Sequence, residues 1–207
     1  YGLLAAMQLV ERDRGKGKVL LVPENGFISL NIPLTPLRRG SLSTRTTHPF
    51  FICQIQRIFD ACGFPVQIDN PYQLKTKGEM FTECANKPLL RKLVSQSTSC
   101  GRYGRYGFSH CGRCIPCLVR RAAFKHARMK DGTAYHFDDL TIDDEQHRNF
   151  DDVQAARYAI AYIVQHGVAQ WAGNSVSSAQ LGSTQLYLQV ANRGVRELKK
   201  LFSGMGV

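Results

Sequence analysis

The chain has 207 residues, of which 43% are hydrophobic and 21% are charged, and this balance is typical of a folded globular protein rather than a disordered one. The sequence shows no signal-peptide pattern and no apolar run near the roughly 18 residues of a membrane span, so we expect a cytoplasmic protein without membrane contact. The formal net charge of +11 predicts an anionic partner, which is a nucleic acid, nucleotide phosphates or an acidic protein.

The first predicted elements are a helix and a short strand. Residues 1–7 read as the middle of an amphipathic helix that stops near residues 14–17, and we expect that a preceding segment is missing. Residues 18–22 form a continuous apolar run, which is typical of a strand in a parallel sheet covered on both faces. Turn residues 23–26 follow at the C-terminal end of that strand, the edge at which open α/β sheets bind ligands.

A long polar connection covers residues 33–47. It contains two prolines and three arginines among many hydroxyl side chains. Connections of this length without regular structure are usually functional or disordered. Guanidinium and hydroxyl groups together suit the binding of phosphate or carboxylate. The alternative is a solvated surface loop without a ligand.

A helix and a second strand are predicted directly after this connection. The helix begins near residues 47–49, and its apolar residues recur at helical spacing until Gly63 ends it. Residues 66–69 form the second strand. Because short strands alternate with helices here, we expect both strands to lie in one parallel sheet.

A capping box marks the start of the next helix. Thr76 has the position of the N-cap, and Glu79 has the position from which a carboxylate returns to the N-cap backbone. Lys75 and Lys77 flank this helix N-terminus, which is a favourable place for an anion. Surface lysines without a ligand would give the same pattern.

Four cysteines then occur within eighteen residues, at positions 100, 111, 114 and 117. Their spacing, C-x10-C-x2-C-x2-C, allows Cys100, Cys111, Cys114 and Cys117 to surround one tetrahedral Zn²⁺. An all-sulfur set leaves no open coordination position, so the predicted zinc site is structural rather than hydrolytic. Disulfides are the rival interpretation, but they suit small secreted chains, and this chain has an odd number of cysteines, seven.

The segment between the first two cysteines is basic and aromatic. Residues 101–107 read Gly-Arg-Tyr-Gly-Arg-Tyr-Gly, a pattern that can stack on bases and contact phosphates. A basic loop that only supports the metal site is the alternative. A basic amphipathic helix is predicted directly after Cys117.

The rest of the chain is predicted to be helical. Residues 131–152 form an acidic, turn-rich link to a helix that Gly167 ends. A small-residue linker at residues 173–184 precedes a last helix from about Thr184. Nothing in this part has the pattern of a catalytic site.

Several of these stretches together resemble one enzyme family, the 7-cyano-7-deazaguanine synthases or QueC family. The segment Cys-Gly-Arg-Cys-Ile-Pro-Cys at residues 111–117, preceded by Cys100, is similar to the zinc motif of that family. Residues 23–31, 40–49 and 70–80 resemble a divergent branch, the QatC-like proteins of bacterial Qat anti-phage systems. The resemblance covers about residues 1–130, and the family's phosphate-binding Ser-Gly-Gly-x-Asp-Ser loop would lie before the first residue.

The resemblance implies an α/β fold class, a Rossmann-like parallel sheet of the adenine-nucleotide α-hydrolase type that is incomplete in this chain. Residues 1–98 would be the C-terminal half of the ATP-binding domain. Residues 99–130 would be the zinc knuckle with its following helix, and residues 131–207 a helical extension.

The resemblance also implies a carbon–nitrogen ligase. The family activates the carboxylate of 7-carboxy-7-deazaguanine with ATP, ammonia converts the acyl-adenylate to an amide, and dehydration gives the nitrile of queuosine biosynthesis. In a defence operon such a protein would instead attach a deazapurine to a protein partner or to nucleic acid. The implied cofactors are zinc and ATP with magnesium.

The implied ligand-binding residues are Arg45, Thr46, Thr47, His48 and Lys77, whereas no catalytic residue is assigned. Without the phosphate-binding loop, this chain alone is expected to be inactive, although the longer protein would be an enzyme. The alternative is a non-enzymatic zinc module that binds nucleic acid through residues 101–107 and the helix after Cys117.

Overall fold

The computed structural model describes residues 1–35, 46–142, 152–176 and 184–203. Within these ranges the protein is mixed α/β and mostly helical. The strands are β1 (Lys18–Leu21) and β2 (Val66–Asp69). The helices are α1 (Gly2–Arg12), α2 (Gly26–Leu30), α3 (Pro49–Ala61), α4 (Lys77–Glu83), α5 (Lys87–Leu93), α6 (Ile115–His126), α7 (Asp152–His166), α8 (Val168–Ala172) and α9 (Thr184–Phe202).

The two strands form a parallel pair, as the sequence predicts. Lys18 is opposite Val66, and Leu21 is opposite Asp69. The amide of Val22 extends the pairing by donating to the Asp69 carbonyl at 2.8 Å. In the described residues the sheet has these two strands, so the larger Rossmann-like sheet stays a prediction.

Only one face of this sheet is covered by the described residues, which corrects the expectation of a strand buried on both sides. Helices α1 and α3 pack on that face, where Val10, Phe59 and Val66 are buried. Exposure alternates along β1, and Val19 and Leu21 are 57% and 58% exposed. The apolar run therefore reflects strand preference along its whole length, whereas only alternate residues of β1 are even partly buried.

A second, larger core joins distant parts of the chain. Buried residues of α2, α6, α7, α8 and α9 form one cluster, in which Phe27, Leu118 and Phe202 are nearly inaccessible. A Cβ atom at Gly194 of α9 would lie 2.1 Å from a ring carbon of Phe27, so glycine permits this close approach. This one core thus contains residues from all three domains proposed from the sequence, which were residues 1–98, 99–130 and 131–207. The limits of those domains stay predictions.

Helix α2 is not among the elements that the sequence predicts, since residues 23–26 read only as a turn. The Asn25 side chain accepts a hydrogen bond from the Ile28 amide at 3.1 Å and caps the helix. A Cβ atom at Gly26 would lie 2.0 Å from the Gln73 carbonyl oxygen, so the helix start packs against the loop that follows β2. This contact holds the C-terminal ends of β1 and β2 together.

Candidate metal centre

The four cysteines of the predicted zinc motif lie together and are all buried. Their sulfur atoms are within 4.8 Å of one another. The distance is 3.9 Å between the Sγ atoms of Cys100 and Cys114, and also between those of Cys111 and Cys117. A tetrahedral zinc ion with Zn–S bonds of about 2.3 Å separates its sulfur ligands by about 3.8 Å. The cluster therefore has the dimensions of a tetrahedral metal site, and its sulfurs are much farther apart than the about 2.05 Å of a disulfide.

Backbone amides direct hydrogen bonds at the clustered sulfurs. The amides of Arg102 and Cys111 both donate to Cys100 Sγ at 3.3 Å. The Cys114 amide donates to Cys111 Sγ, also at 3.3 Å. Hydrogen bonds of this kind favour the thiolate form and orient the ligands of a metal ion.

The tight turn between Cys111 and Cys114 requires a glycine. Gly112 has a φ of +88°, which residues with side chains rarely adopt. A Cβ atom at this position would also lie 2.3 Å from the Phe137 carbonyl oxygen. The sequence Cys-Gly-Arg-Cys can therefore form the knuckle only because its second residue is glycine.

Helix α6 begins inside the cysteine motif rather than after it. Its first residue is Ile115, so Cys117 lies in the first turn, and Pro116 suits that turn because it needs no amide donor. The carboxylate of Asp152, at the start of α7, accepts a hydrogen bond from the Ile115 amide at 3.2 Å. The positive end of the helix dipole consequently lies next to the sulfur cluster.

The packed thiols influence each other's ionisation. Hydrogen bonds from Cys114 and Cys117 lower the pKa of Cys111 far below its ordinary value. Contact with Cys111 in turn raises the pKa of Cys114 to about 12, and that of Cys117 also rises. Without a metal, ionisation of one thiol is thus favoured, and its negative charge opposes ionisation of the neighbouring thiols. A bound divalent cation would allow all four thiols to ionise and release their protons.

His110 is next to the cluster but has a different role. The four-cysteine group comes together without it, and His110 Nε2 accepts a hydrogen bond from the Ser99 amide at 3.1 Å. Its ring is edge-on to Tyr103 and Tyr135. Burial, with a further contribution from Arg120, lowers the pKa of His110, so the neutral acceptor form is favoured.

Two buried arginines near the cysteines connect segments of the chain through hydrogen bonds. Arg120 is 1% exposed and donates to the Val94 carbonyl and to three hydroxyl oxygens, those of Ser97, Ser99 and Thr133. Arg113 is 2% exposed and donates to the carbonyl oxygens of Asp139 and Ile142. These guanidinium groups fasten the segments on either side of the motif to it, and they are not available to a nucleic acid.

The residues predicted to line a ligand pocket have different surroundings. Arg45 lies outside the described residues, and Thr46 is exposed. Thr47 Oγ1 accepts a hydrogen bond from the Ser29 hydroxyl at 3.3 Å. His48 is buried; its Nδ1 accepts from the Phe50 amide and caps α3, and its Nε2 is 2.9 Å from the Ser175 carbonyl oxygen. His48 therefore joins α3 to the C-terminal part of the chain, and its ligand role stays a prediction.

Lys77 is half-buried and points toward the metal centre. Its ammonium donates one long hydrogen bond, 3.4 Å, to the hydroxyl of Ser99, the neighbour of Cys100. Burial lowers the pKa of Lys77; the carboxylate of Glu24 opposes this shift and Arg120 adds to it. Lys77 is thus close to both the loop after β1 and the cysteine cluster.

The N-terminus of α4 already holds an anion from within the chain. The capping box of Thr76 and Glu79 is present as predicted. In addition, the carboxylate of Glu197 from α9 accepts hydrogen bonds from the Thr76 hydroxyl and from the Gly78 amide, the latter at 3.3 Å. No local pattern indicates this partner, because Glu197 is 121 residues away from Thr76.

Fold and site together define a mixed α/β protein with a buried four-cysteine cluster suited to a metal ion. Comparison of the chain with protein-family models, curated proteins and solved structures finds no match. None of the described helices combines the length and the apolarity needed to cross a bilayer.

Proposed function

We propose that this chain is the zinc-bearing part of a QueC-like, ATP-dependent enzyme that acts on the carboxylate of a deazapurine. The position of Lys77 carries the proposal. Its ammonium reaches Ser99 beside the cysteine cluster and is also influenced by Glu24 in the loop after β1. The Asn70 side chain, just after β2, donates to the Glu24 carbonyl at 2.8 Å. The C-terminal edge of a parallel pair, where α/β proteins bind ligands, is therefore next to the cluster.

The proposed metal is one Zn²⁺ held by Cys100, Cys111, Cys114 and Cys117. Four sulfur ligands at these distances suit zinc, which prefers tetrahedral sulfur coordination in structural sites. With these four cysteines as its ligands, such an ion would cross-link the loop at Cys100 to the start of α6. Ser99, and with it the surroundings of Lys77, would thereby be held in place.

In the proposed enzyme Lys77 binds the carboxylate of the deazapurine or a phosphate oxygen of the nucleotide. Among the residues that the structure describes, its ammonium has a single long hydrogen bond, so an anion would improve its surroundings. Arg45, Thr46, Thr47 and His48 are proposed to complete the ligand pocket. ATP with magnesium requires the phosphate-binding loop of a preceding segment, and in a defence system the deazapurine would pass to a partner rather than be released.

Binding of 7-carboxy-7-deazaguanine to the zinc-loaded protein, measured by isothermal titration calorimetry, tests this function. We expect wild-type protein to bind and Lys77→Gln to bind about tenfold or more weakly, as for loss of one charged hydrogen bond. Lys75→Gln is the matched control, because Lys75 is paired with Glu83 on the surface and should leave binding unchanged. Absence of binding by wild-type protein, or equal weakening in both variants, would contradict the proposal.

The second candidate function, a zinc module for nucleic acid, is favoured by one observation in the loop between the first two cysteines. Phe108 is 75% exposed and has a φ of +60°, an unfavourable conformation for an aromatic residue. An exposed ring three residues after Arg105 in the sequence suits stacking on a base. Helix α6, in contrast, offers little to this function, since Arg120 is buried and Arg121 bonds to the Phe137 carbonyl and lies over the ring of Tyr135.

A further inference from the structure

The positive charge of the protein is concentrated in one stretch of the sequence. Residues 84–130 contain eleven of the 27 lysines and arginines and none of the 16 aspartates and glutamates. The remainder of the chain therefore has 16 residues of each sign, and the whole net charge of +11 comes from this stretch. The stretch includes α5, the cysteine knuckle and α6.

About half of these cations are used within the fold. Hydrogen bonds or ion pairs to other described residues are made by Lys87, Arg102, Arg113, Arg120, Arg121 and Lys125. No such partner among the described residues is found for Arg91, Lys92, Arg105, Arg128 and Lys130. The second group is free to attract an external anion.

Three of the unpaired cations face one cleft of about 420 Å³ between the end of α5 and the turn after α6. Among the described residues, Arg91, Arg128 and Lys130 supply all of its charged lining, and none of those lining residues is acidic. Ser95 is also in the cleft, where its Oγ accepts the Gly132 amide at 3.2 Å and can still donate its own proton. The cleft thus combines three positive charges with a hydroxyl donor, and a bound anion would relieve the repulsion among those charges.

Arg128 is held in this cleft by an unfavourable backbone. Its φ is +51°, and it follows the last turn of α6, which the Met129 amide closes by donating to the Phe124 carbonyl at 3.0 Å. Glycine is the usual residue at this position of a helix C-terminus, since it adopts positive φ without strain. An arginine here is less favourable for the fold but adds a guanidinium to the cleft.

We propose that this cleft binds phosphate groups of a nucleic-acid strand. Guanidinium groups match phosphate oxygens with paired hydrogen bonds, and two of the three cations are arginines. A strand, rather than a single small anion, suits the distribution of charge, because Lys92 and Arg105 of the same acid-free stretch are also unpaired. This proposal does not depend on the enzymatic function or on bound deazapurine.

The first test replaces Arg91, Arg128 and Lys130 by Gln and measures binding of a labelled 20-nucleotide single strand by fluorescence anisotropy at several salt concentrations. We expect wild-type protein to bind and the triple variant to bind about tenfold or more weakly at 0.1 M salt. For single strands, each phosphate contact contributes about −0.7 to the slope of log K against log salt, so loss of three contacts should make the negative slope shallower by about two.

A second triple variant is the control for charge alone. Arg14, Lys16 and Arg57 lie in or near α1 and α3, outside the acid-free stretch, and their replacement by Gln changes the net charge by the same amount. We expect this variant to lose less than about threefold in affinity, because only long-range attraction is reduced. Equal losses in the two triple variants, or no binding of the strand by wild-type protein, would overturn the proposal.

Arg128→Gly separates binding from folding. Glycine relieves the positive φ, so the midpoint of thermal unfolding should stay the same or rise while the affinity for the strand falls. A strand affinity equal to that of wild type in this variant would overturn the role of Arg128. Cleft-dependent binding of ATP or of anionic lipid vesicles, with no binding of the strand, would overturn nucleic acid as the occupant.

Discussion

At position 112 the chain requires a residue without a side chain. Gly112 has a φ of +88°, and a Cβ atom added to it would lie only 2.3 Å from the Phe137 carbonyl oxygen. Both constraints act on the turn that brings Cys111 and Cys114 to one side of the cluster. Assembly of the four-cysteine cluster therefore depends on a residue that contributes no sulfur to it.

Gly112→Ala should lower the free energy of unfolding by about 2 kcal/mol or more, since both the backbone conformation and the Phe137 carbonyl must adjust. Urea unfolding and zinc content measure the effect. Gly104→Ala is the control, because a Cβ atom there meets nothing within 4 Å and its φ is not positive. Similar stability of the two variants would mean that the knuckle tolerates a side chain at position 112.

The sequence predicts the clustering of the four cysteines better than the residues that support the cluster. Spacing alone brings Cys100, Cys111, Cys114 and Cys117 together, because all of them lie within one short segment. Arg120 could not be recognised in the same way. It reads as one charge on a basic helix, and only the packing of α6 against residues 94–99 and Thr133 buries it.

Among the elements, the knuckle and α6 form one unit. The helix starts at Ile115 within the motif, and Cys117 belongs to its first turn. Val119, Ala122 and Ala123 of the same helix are buried in two apolar clusters. Disruption of the cysteine cluster should therefore affect the core as well as the loop.

Cys114→Ser should abolish stoichiometric zinc binding and destabilise both the knuckle and α6. Purified wild-type protein should contain one zinc per chain by mass spectrometry or atomic emission. Structural zinc in small modules contributes about 10 kcal/mol or more to folding, so removal of the ion by a chelator should also unfold the wild type. Cys62→Ser is the control, since Cys62 is exposed at the end of α3. Full zinc retention and unchanged stability in Cys114→Ser would refute the assignment.

Local signals predict the elements whose ends are marked by caps or glycines. The capping box at Thr76 and the long apolar periodicity of α7 and α9 indicate helices close to the observed ones. Helices α2 and α8 escape prediction because each has five residues, too few to show a helical period. The sequence also does not predict that one face of β1 is exposed, since an apolar run does not reveal which face of the strand other elements cover.

At the scale of the whole molecule, the carboxylate of Glu197 links distant parts of the described chain. It is 4% exposed and joins α9 to the N-terminus of α4, and its Oε1 is 3.5 Å from His126 Nδ1. Burial raises the pKa of Glu197 above its ordinary value of 4.5, although Thr76 and His126 act in the opposite direction. The Glu197 carboxylate consequently binds a proton more tightly in the folded protein than in the unfolded chain.

This raised pKa predicts how stability depends on pH. The contribution of Glu197 protonation is complete below about pH 4.5 and is lost as pH rises through the folded pKa. Glu197→Gln removes this dependence, so the free energy of unfolding of the variant should rise relative to that of wild type as pH increases from about 4.5 through the folded pKa, in urea unfolding of the zinc-loaded proteins. Glu83→Gln, on the exposed surface, should show no such trend. A constant difference between wild type and Glu197→Gln across this range would contradict the assigned pKa shift.

The two cores differ in when they can be completed during synthesis of the chain. The cysteine knuckle and its arginine supports lie mainly within residues 94–142, so they are translated almost together. The larger core, in contrast, packs Phe27 near the start of the chain against α9 at residues 184–202. If the cysteines bind zinc, a ribosome-bound chain should therefore be able to bind it before the larger core forms. The metal-bound knuckle would then fix the first turn of α6, and α9 would pack against this helix afterwards.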